Sequence, residues 1–196
     1  MSESDPASWL VPAERPAQPA TPVRPPAPVQ ETFYVHAPRP TGQGWPTTTQ
    51  QPPHPHTTGA VTWVSAHGGA GATSLATATG LGPDLTAMWP DPALGWPNQV
   101  VLVARTNTAG LDAAARAIAF AASGATPPGV RVAALVLNAD APGRTPRLIK
   151  ARIRELSGTV PNLLEVGWVE EWRTTPYTAT KHLAGLIRAL QKATPQ

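Results

Sequence analysis

Fourteen of the 25 prolines stand before residue 59. Proline fixes φ, carries no N–H and pushes the residue before it into extended conformations, so a stretch this rich in it supports neither a helix nor a sheet interior. Residues 1–58 are otherwise mostly Ala, Thr, Gln and His with few large apolar side chains. Such a segment cannot bury enough surface to offset the entropy of ordering it. A disordered tail biased toward polyproline II is expected there. Two apolar islands within it, Trp9-Leu10-Val11 and Thr32-Phe33-Tyr34-Val35, are points a partner could capture, whereas His54 and His56 around Pro55 point only weakly to metal. Residues 59–192 are long enough for one ordinary core, with 193–196 as a short C-terminal tail.

The chain has no cysteine, which excludes disulfides, thiolate metal sites and cysteine nucleophiles. The start, Met1-Ser2-Glu3-Ser4-Asp5, is acidic and no apolar run follows it, so it does not read as a secretory signal. The apolar stretches at 100–104 and 132–137 are too short to span a bilayer. A soluble, cytoplasmic protein without membrane insertion is expected. The formal net charge of +3 by itself implies no nucleic-acid partner.

From residue 59 the pattern changes. Residues 60–65 are β-branched and aromatic, which predicts a strand. A glycine-rich turn leads into a short helix from Thr73 to about Gly80, ended by Gly80, Gly82 and Pro83. Residues 83–98, with four prolines, read as loop. A second strand follows at 99–104, then a helix whose face carries Leu111, Ala115, Ile118 and Ala122. A third strand covers 130–137. Thr145 before Pro146 reads as a helix N-cap, and Leu148, Ile149, Ile153 and Leu156 as the apolar stripe behind it. Residues 163–166 give a fourth strand, and Leu183, Leu186, Ile187 and Leu190 the buried face of a last helix. Strands alternating with helices predict an α/β fold, a three-layer sandwich with a mostly parallel sheet.

The turn reads His67-Gly68-Gly69-Ala70-Gly71-Ala72-Thr73-Ser74. Between a buried strand and a helix, glycines let the backbone approach an anion, while the helix-start N–H groups and the helix dipole attract it. The candidate phosphate-binding residues are therefore Gly68, Gly69, Ala70, Gly71, Ala72, Thr73 and Ser74. This loop resembles the deviant phosphate loop of the ParA/MinD branch of P-loop NTPases, Lys-Gly-Gly-x-Gly-Lys-Thr-Thr/Ser. The three glycines and the hydroxyl pair match. His67 and Ala72 take the places of the two lysines. The resemblance implies a nucleotide such as ATP with Mg²⁺ held by Thr73, and Leu135-Val136-Leu137-Asn138 looks like the family's strand ending in an adenine-contacting asparagine. Residues 164–169 resemble the segment that returns past the base. The run at 139–144 and residues 168–173 also look like an actinobacterial family associated with mobile elements, which implies an accessory role in DNA partition or conjugative transfer.

The departures from that family decide what activity to expect. Its loop lysine neutralises phosphate oxygens, and no lysine stands before Lys150 here. Its Walker B aspartate sits on a strand between the loop helix and the 100–104 type of strand. In this chain only 75–98 lie there, with Asp84 and Asp91 as the carboxylates and neither behind an apolar strand. A truncated, degenerate P-loop domain without efficient hydrolysis is expected, with nucleotide or another anion as a regulatory or structural ligand. If the strand at 99–104 neighbours the first, Arg105 at its end can reach an anion in the loop.

Two further constellations keep a second reading open, that of an interaction module binding no nucleotide. Arg147, Lys150 and Arg154 share a helix face, where they could lie on DNA phosphates or on a protein partner. Trp168 and Trp172, four apart, form either a packed face or a partner-binding patch.

Overall fold

The computed structural model describes residues 45–49, 60–174 and 183–194, all within one compact unit, Val35–Gln196. Of the two expected tails, only residues 45–49 and 193–194 fall among these; the rest lie outside the described residues. Four strands form one parallel sheet in the order β1 (Thr62–Ser65), β2 (Gln99–Arg105), β3 (Arg131–Asn138), β4 (Leu163–Val166). The helices are α1 (Ala72–Thr79), α2 (Thr108–Ala122), α3 (Arg147–Ser157) and α4 (Ala184–Ala193). The expected α/β fold with a parallel sheet is present, and among the described residues every strand pair is parallel.

Successive side chains of a strand point to opposite faces, so a continuous apolar run can line two cores at once. Along β2, Val100, Leu102 and Ala104 join Leu111, Ala114 and Ile118 of α2 and Ile153 and Leu156 of α3. Val101 and Val103 join Leu75 of α1 and Leu186 and Leu190 of α4 on the other face. Asn107 caps α2, its side-chain oxygen accepting from Gly110 N at 2.8 Å. Gly110 packs against the end of β2, where an added Cβ would sit 2.3 Å from the Arg105 carbonyl oxygen. Gly110→Ala should therefore cost ~1–3 kcal/mol by forcing α2 away from the sheet, read as a lower denaturant midpoint.

After α1, residues 83–86 run along the edge of β1 opposite β2. Trp63 N donates to Pro83 O at 2.8 Å, Leu85 N to Trp63 O at 3.0 Å, and Ser65 N to Thr86 O. Residues 87–98 then cross the other face, burying Trp89 in the α2/α3 core, to reach β2. The stretch read as plain loop thus contributes an edge segment. The periodicity that marks a strand is absent from it because only three main-chain bonds hold it.

Three further sequence expectations change. Trp45, inside the stretch assigned to the tail, is 9% exposed and meets Trp89 edge-on, with ring centroids 6.2 Å apart. Main-chain bonds from Thr48 N to Trp89 O (3.0 Å) and from Trp89 N to Pro46 O (2.9 Å) fix this segment to the domain. A single buried tryptophan supplies the apolar area that the tail's composition lacks. Leu148 is 82% exposed and does not belong to the α3 stripe; at 100° per residue it stands well off the Ile149, Ile153 and Leu156 face. Thr145 is not the N-cap of α3: Pro146, with ψ 152°, occupies that position and no side chain caps the helix. No helix among the described residues is long and apolar enough to cross a membrane.

Candidate functional site

The glycine loop joins the C-terminal end of β1 to α1, whose N-terminal turn carries no side-chain cap. The first N–H groups of a helix have no partner within it, so this turn presents donors to the loop's concave side. Gly69 (φ 74°) and Gly71 (φ 98°) hold left-handed conformations that side chains disfavour. Gly71 has a second constraint, because an added Cβ would lie 2.4 Å from Asn138 Nδ2. The side chains of Ala70 and Ala72 are buried in the α1/α4 core, so these two residues can offer a ligand only main-chain groups. Thr73 is exposed, and Gly68 and Gly69 are exposed beside it.

Asp84 completes the loop, although neither strand patterning nor spacing marks it. Thr73 Oγ1 donates to Asp84 Oδ2 at 2.5 Å, and Asp84 Oδ1 accepts from Thr86 N at 2.7 Å. The edge segment beside β1, which is not one of the sheet's four strands, carries the carboxylate there. The available signal was local: Asp followed two residues later by Thr is an Asx-turn pattern, and the apolar Leu85 between them is buried.

β2 does neighbour β1, and Arg105 reaches the loop. Its guanidinium donates from Nε to Gly69 O (3.0 Å) and from Nη1 to Ala139 O (2.6 Å). Its main-chain N–H donates to His67 Nε2 at 3.1 Å, which leaves Nδ1 to carry the ring proton and donate to Gly68 O at 2.8 Å. Both side chains therefore tie the loop together, and the Arg105 charge stands beside it. Asn138 is buried and turned to the loop, Nδ2 donating to Ala70 O at 3.4 Å.

Beyond the ends of β3 and β4 lies a cavity of about 630 Å³. Thr106, Asp140, Arg144, Glu165, Gly167 and Trp168 are among its lining residues. Thr106 Oγ1 donates to Asp140 Oδ1 at 3.0 Å and accepts from Asp140 N at 3.2 Å, which fixes that wall. At the mouth, Trp168 Nε1 donates to Glu170 Oε2 (2.5 Å) and Arg173 Nη1 to Glu170 Oε1 (2.9 Å). These bonds, that of Trp168 first, hold the Glu170 carboxyl below the usual glutamate range. A lowered value means the contact persists at neutral pH and is lost only as pH falls through that value. The Trp168 indole proton resonance should therefore move only below the ordinary glutamate range, and Glu170→Gln should abolish the titration. A titration unchanged in that variant would assign it to another group. Trp172 packs on the α1/α4 core and so does not extend an exposed patch with Trp168.

Arg147, Lys150 and Arg154 are exposed on α3, which packs on the sheet face opposite α1, while Arg152 pairs with Asp112. Among the described residues no group of three or more His, Cys, Asp or Glu could hold a metal ion. Comparisons of the chain with protein-family profiles, with curated proteins and with solved structures gave no match.

Proposed function

We propose that the glycine loop and Asp84 bind the phosphates of a nucleotide, or a similar phosphate-bearing anion, together with a divalent cation, in a regulatory or structural role without efficient hydrolysis. The observation that carries this reading is the Thr73–Asp84 pair at the mouth of an uncapped glycine-loop helix. Mg²⁺ takes one or two protein oxygens and completes its shell with water and phosphate, so a hydroxyl and a carboxylate suit it where a three-carboxylate cluster is missing. Thr73 and Asp84 would hold it, and it would supply charge neutralisation at the phosphate oxygens.

Topology supports the same place. In open α/β sheets ligands bind outside the strand C-termini where neighbouring connections leave over opposite faces. β1 connects through α1 on one face and β2 through α2 on the other. The cavity past β3 and β4 lies two to three strand spacings of ~4.8 Å from the loop and leaves room for a base beside Trp168. Low turnover follows from Ala72, whose side chain is in the core, and from Arg105, two of whose donors are held by main-chain carbonyls. On this reading the domain works in the cytoplasm as an accessory to DNA partition or conjugative transfer, the role implied by the likeness of residues 139–144 and 168–173 to a mobile-element-associated actinobacterial family.

Thermal unfolding of the full chain with and without Mg²⁺ and millimolar ATP, ADP, GTP or pyrophosphate tests the proposal. A ligand at 100 times its Kd should add about 2.7 kcal/mol, several degrees in Tm. A rise that needs Mg²⁺, with negligible phosphate release, is the expected result. No rise with any of them would leave the second reading, an interaction module. One observation favours that alternative: Leu148 stands exposed among the cations Arg147 and Lys150. Under it, Arg147→Glu with Lys150→Glu should abolish retention on DNA at low salt or capture of an acidic partner, and leave Tm unchanged.

A further inference from the structure

We infer that residues 45–49 act as a built-in regulatory peptide whose docking on residues 83–89 decides whether Asp84 sits at Thr73. What the docking controls rests on the reading of the loop given above; the mechanical coupling does not.

Residues 83–89 form a strap with two partners. Its first half bonds to β1 through Trp63 N, Leu85 N and Ser65 N. Its second half bonds to the N-terminal segment through Thr48 N→Trp89 O and Trp89 N→Pro46 O, with a parallel bridge between Thr47 and Trp89. This is strand addition by an extended peptide, with main-chain bonds giving the hold and Trp45 filling the pocket beside Trp89. Trp89 in turn stacks on Phe120 of α2, centroids 6.1 Å apart.

Between the two halves lies Thr86 at φ 54°, the one non-glycine residue with positive φ among those described. A β-branched residue in the left-handed region is strained and stays there only where its surroundings impose it. The strap carries a second liability, a buried Trp89 Nε1 without a hydrogen-bond partner. The geometry of 84–86 therefore depends on holders at both ends. Asp84 joins that strain to the site, since one carboxylate oxygen accepts from Thr86 N and the other from Thr73 Oγ1. If the N-terminal segment leaves, Trp89 loses two main-chain bonds and the Trp45 ring, Thr86 is free to relax, and both oxygens of Asp84 lose their seat together.

Amide hydrogen exchange on the full chain, wild type against Trp45→Ala, tests this. The Leu85 and Ser65 amides, bonded across the strap, should exchange at least ~10-fold faster in the variant. The Leu135 and Thr106 amides, bonded within the sheet to Asn162 O and Asn138 O, should keep their rates. A synthetic peptide of residues 41–50 added in trans should restore protection at Leu85. Equal acceleration at all four amides would make Trp45 a general core residue, and no acceleration at Leu85 would mean the strap holds itself; either result overturns the inference. Thr48→Pro, which removes the donor to Trp89 O and keeps Trp45, should give the same selective pattern, and an unchanged Leu85 there would also overturn it. Pyrophosphate with Mg²⁺ reads out the site. Its affinity should fall at least ~10-fold in both variants and return with the peptide. Equal affinity in variant and wild type, with the strap loosened, would sever the strap from the site. A wild type that takes up no pyrophosphate yet shows the exchange pattern would refute the loop reading and leave the coupling standing.

Discussion

Trp89→Ala should remove about 3–5 kcal/mol of stability, the range for deleting a large buried aromatic ring. The ring is fully buried and touches both Trp45 and Phe120, so its loss leaves a cavity between the 45–49 segment and α2. Against a total of ~5–15 kcal/mol for a domain, that brings the protein close to its folding threshold. Trp89→Phe should cost far less, under about 1.5 kcal/mol. It keeps a ring against Phe120 and removes the indole N–H that has no partner, a group whose burial costs ~1–3 kcal/mol. Chemical denaturation followed by circular dichroism separates the two. A phenylalanine variant as unstable as the alanine variant would mean that the shape of the indole, and not its apolar bulk, holds the strap.

Asp84→Asn should leave stability within about 0.5 kcal/mol and lower cation-dependent phosphate affinity about 100-fold. Asparagine can still accept from Thr86 N, so the turn persists; what disappears is the charge. The sign of the effect without a cation is the sharper measurement. A bare carboxylate beside an anion repels it, so sulfate or pyrophosphate binding in chelator should strengthen in the variant. If the variant weakens anion binding with and without Mg²⁺ alike, Asp84 orders the loop and holds no cation.

The features legible in the sequence were those encoded within single segments. The strands 60–65, 99–104, 130–137 and 163–166 each declared themselves by apolar or β-branched runs, and the parallel sheet follows from their alternation with helices. The loop was legible because Gly69 and Gly71 adopt conformations other residues avoid. Leu148 was misplaced because one apolar residue at the start of a helix fits two faces until the helix phase is known. The place of Asp84 beside Thr73 is not legible in the sequence, because the segment beneath it pairs on one edge through three main-chain bonds, which need no side-chain pattern. Trp45 was assigned to the tail because composition averages over many residues, while one tryptophan is enough to dock a segment on a waiting aromatic surface.

By itself the sequence determined the α/β class, the absence of cysteine chemistry and the site of the glycine turn, since backbone propensity, side-chain period and glycine geometry are local properties. Tertiary structure alone decided which carboxylate meets Thr73, where the Arg105 and Asn138 side chains are spent, and that Trp45 belongs to the core. Each of those depends on which strand edges and helix faces come together over a long sequence separation, and main-chain hydrogen bonding at a sheet edge leaves no trace in residue type.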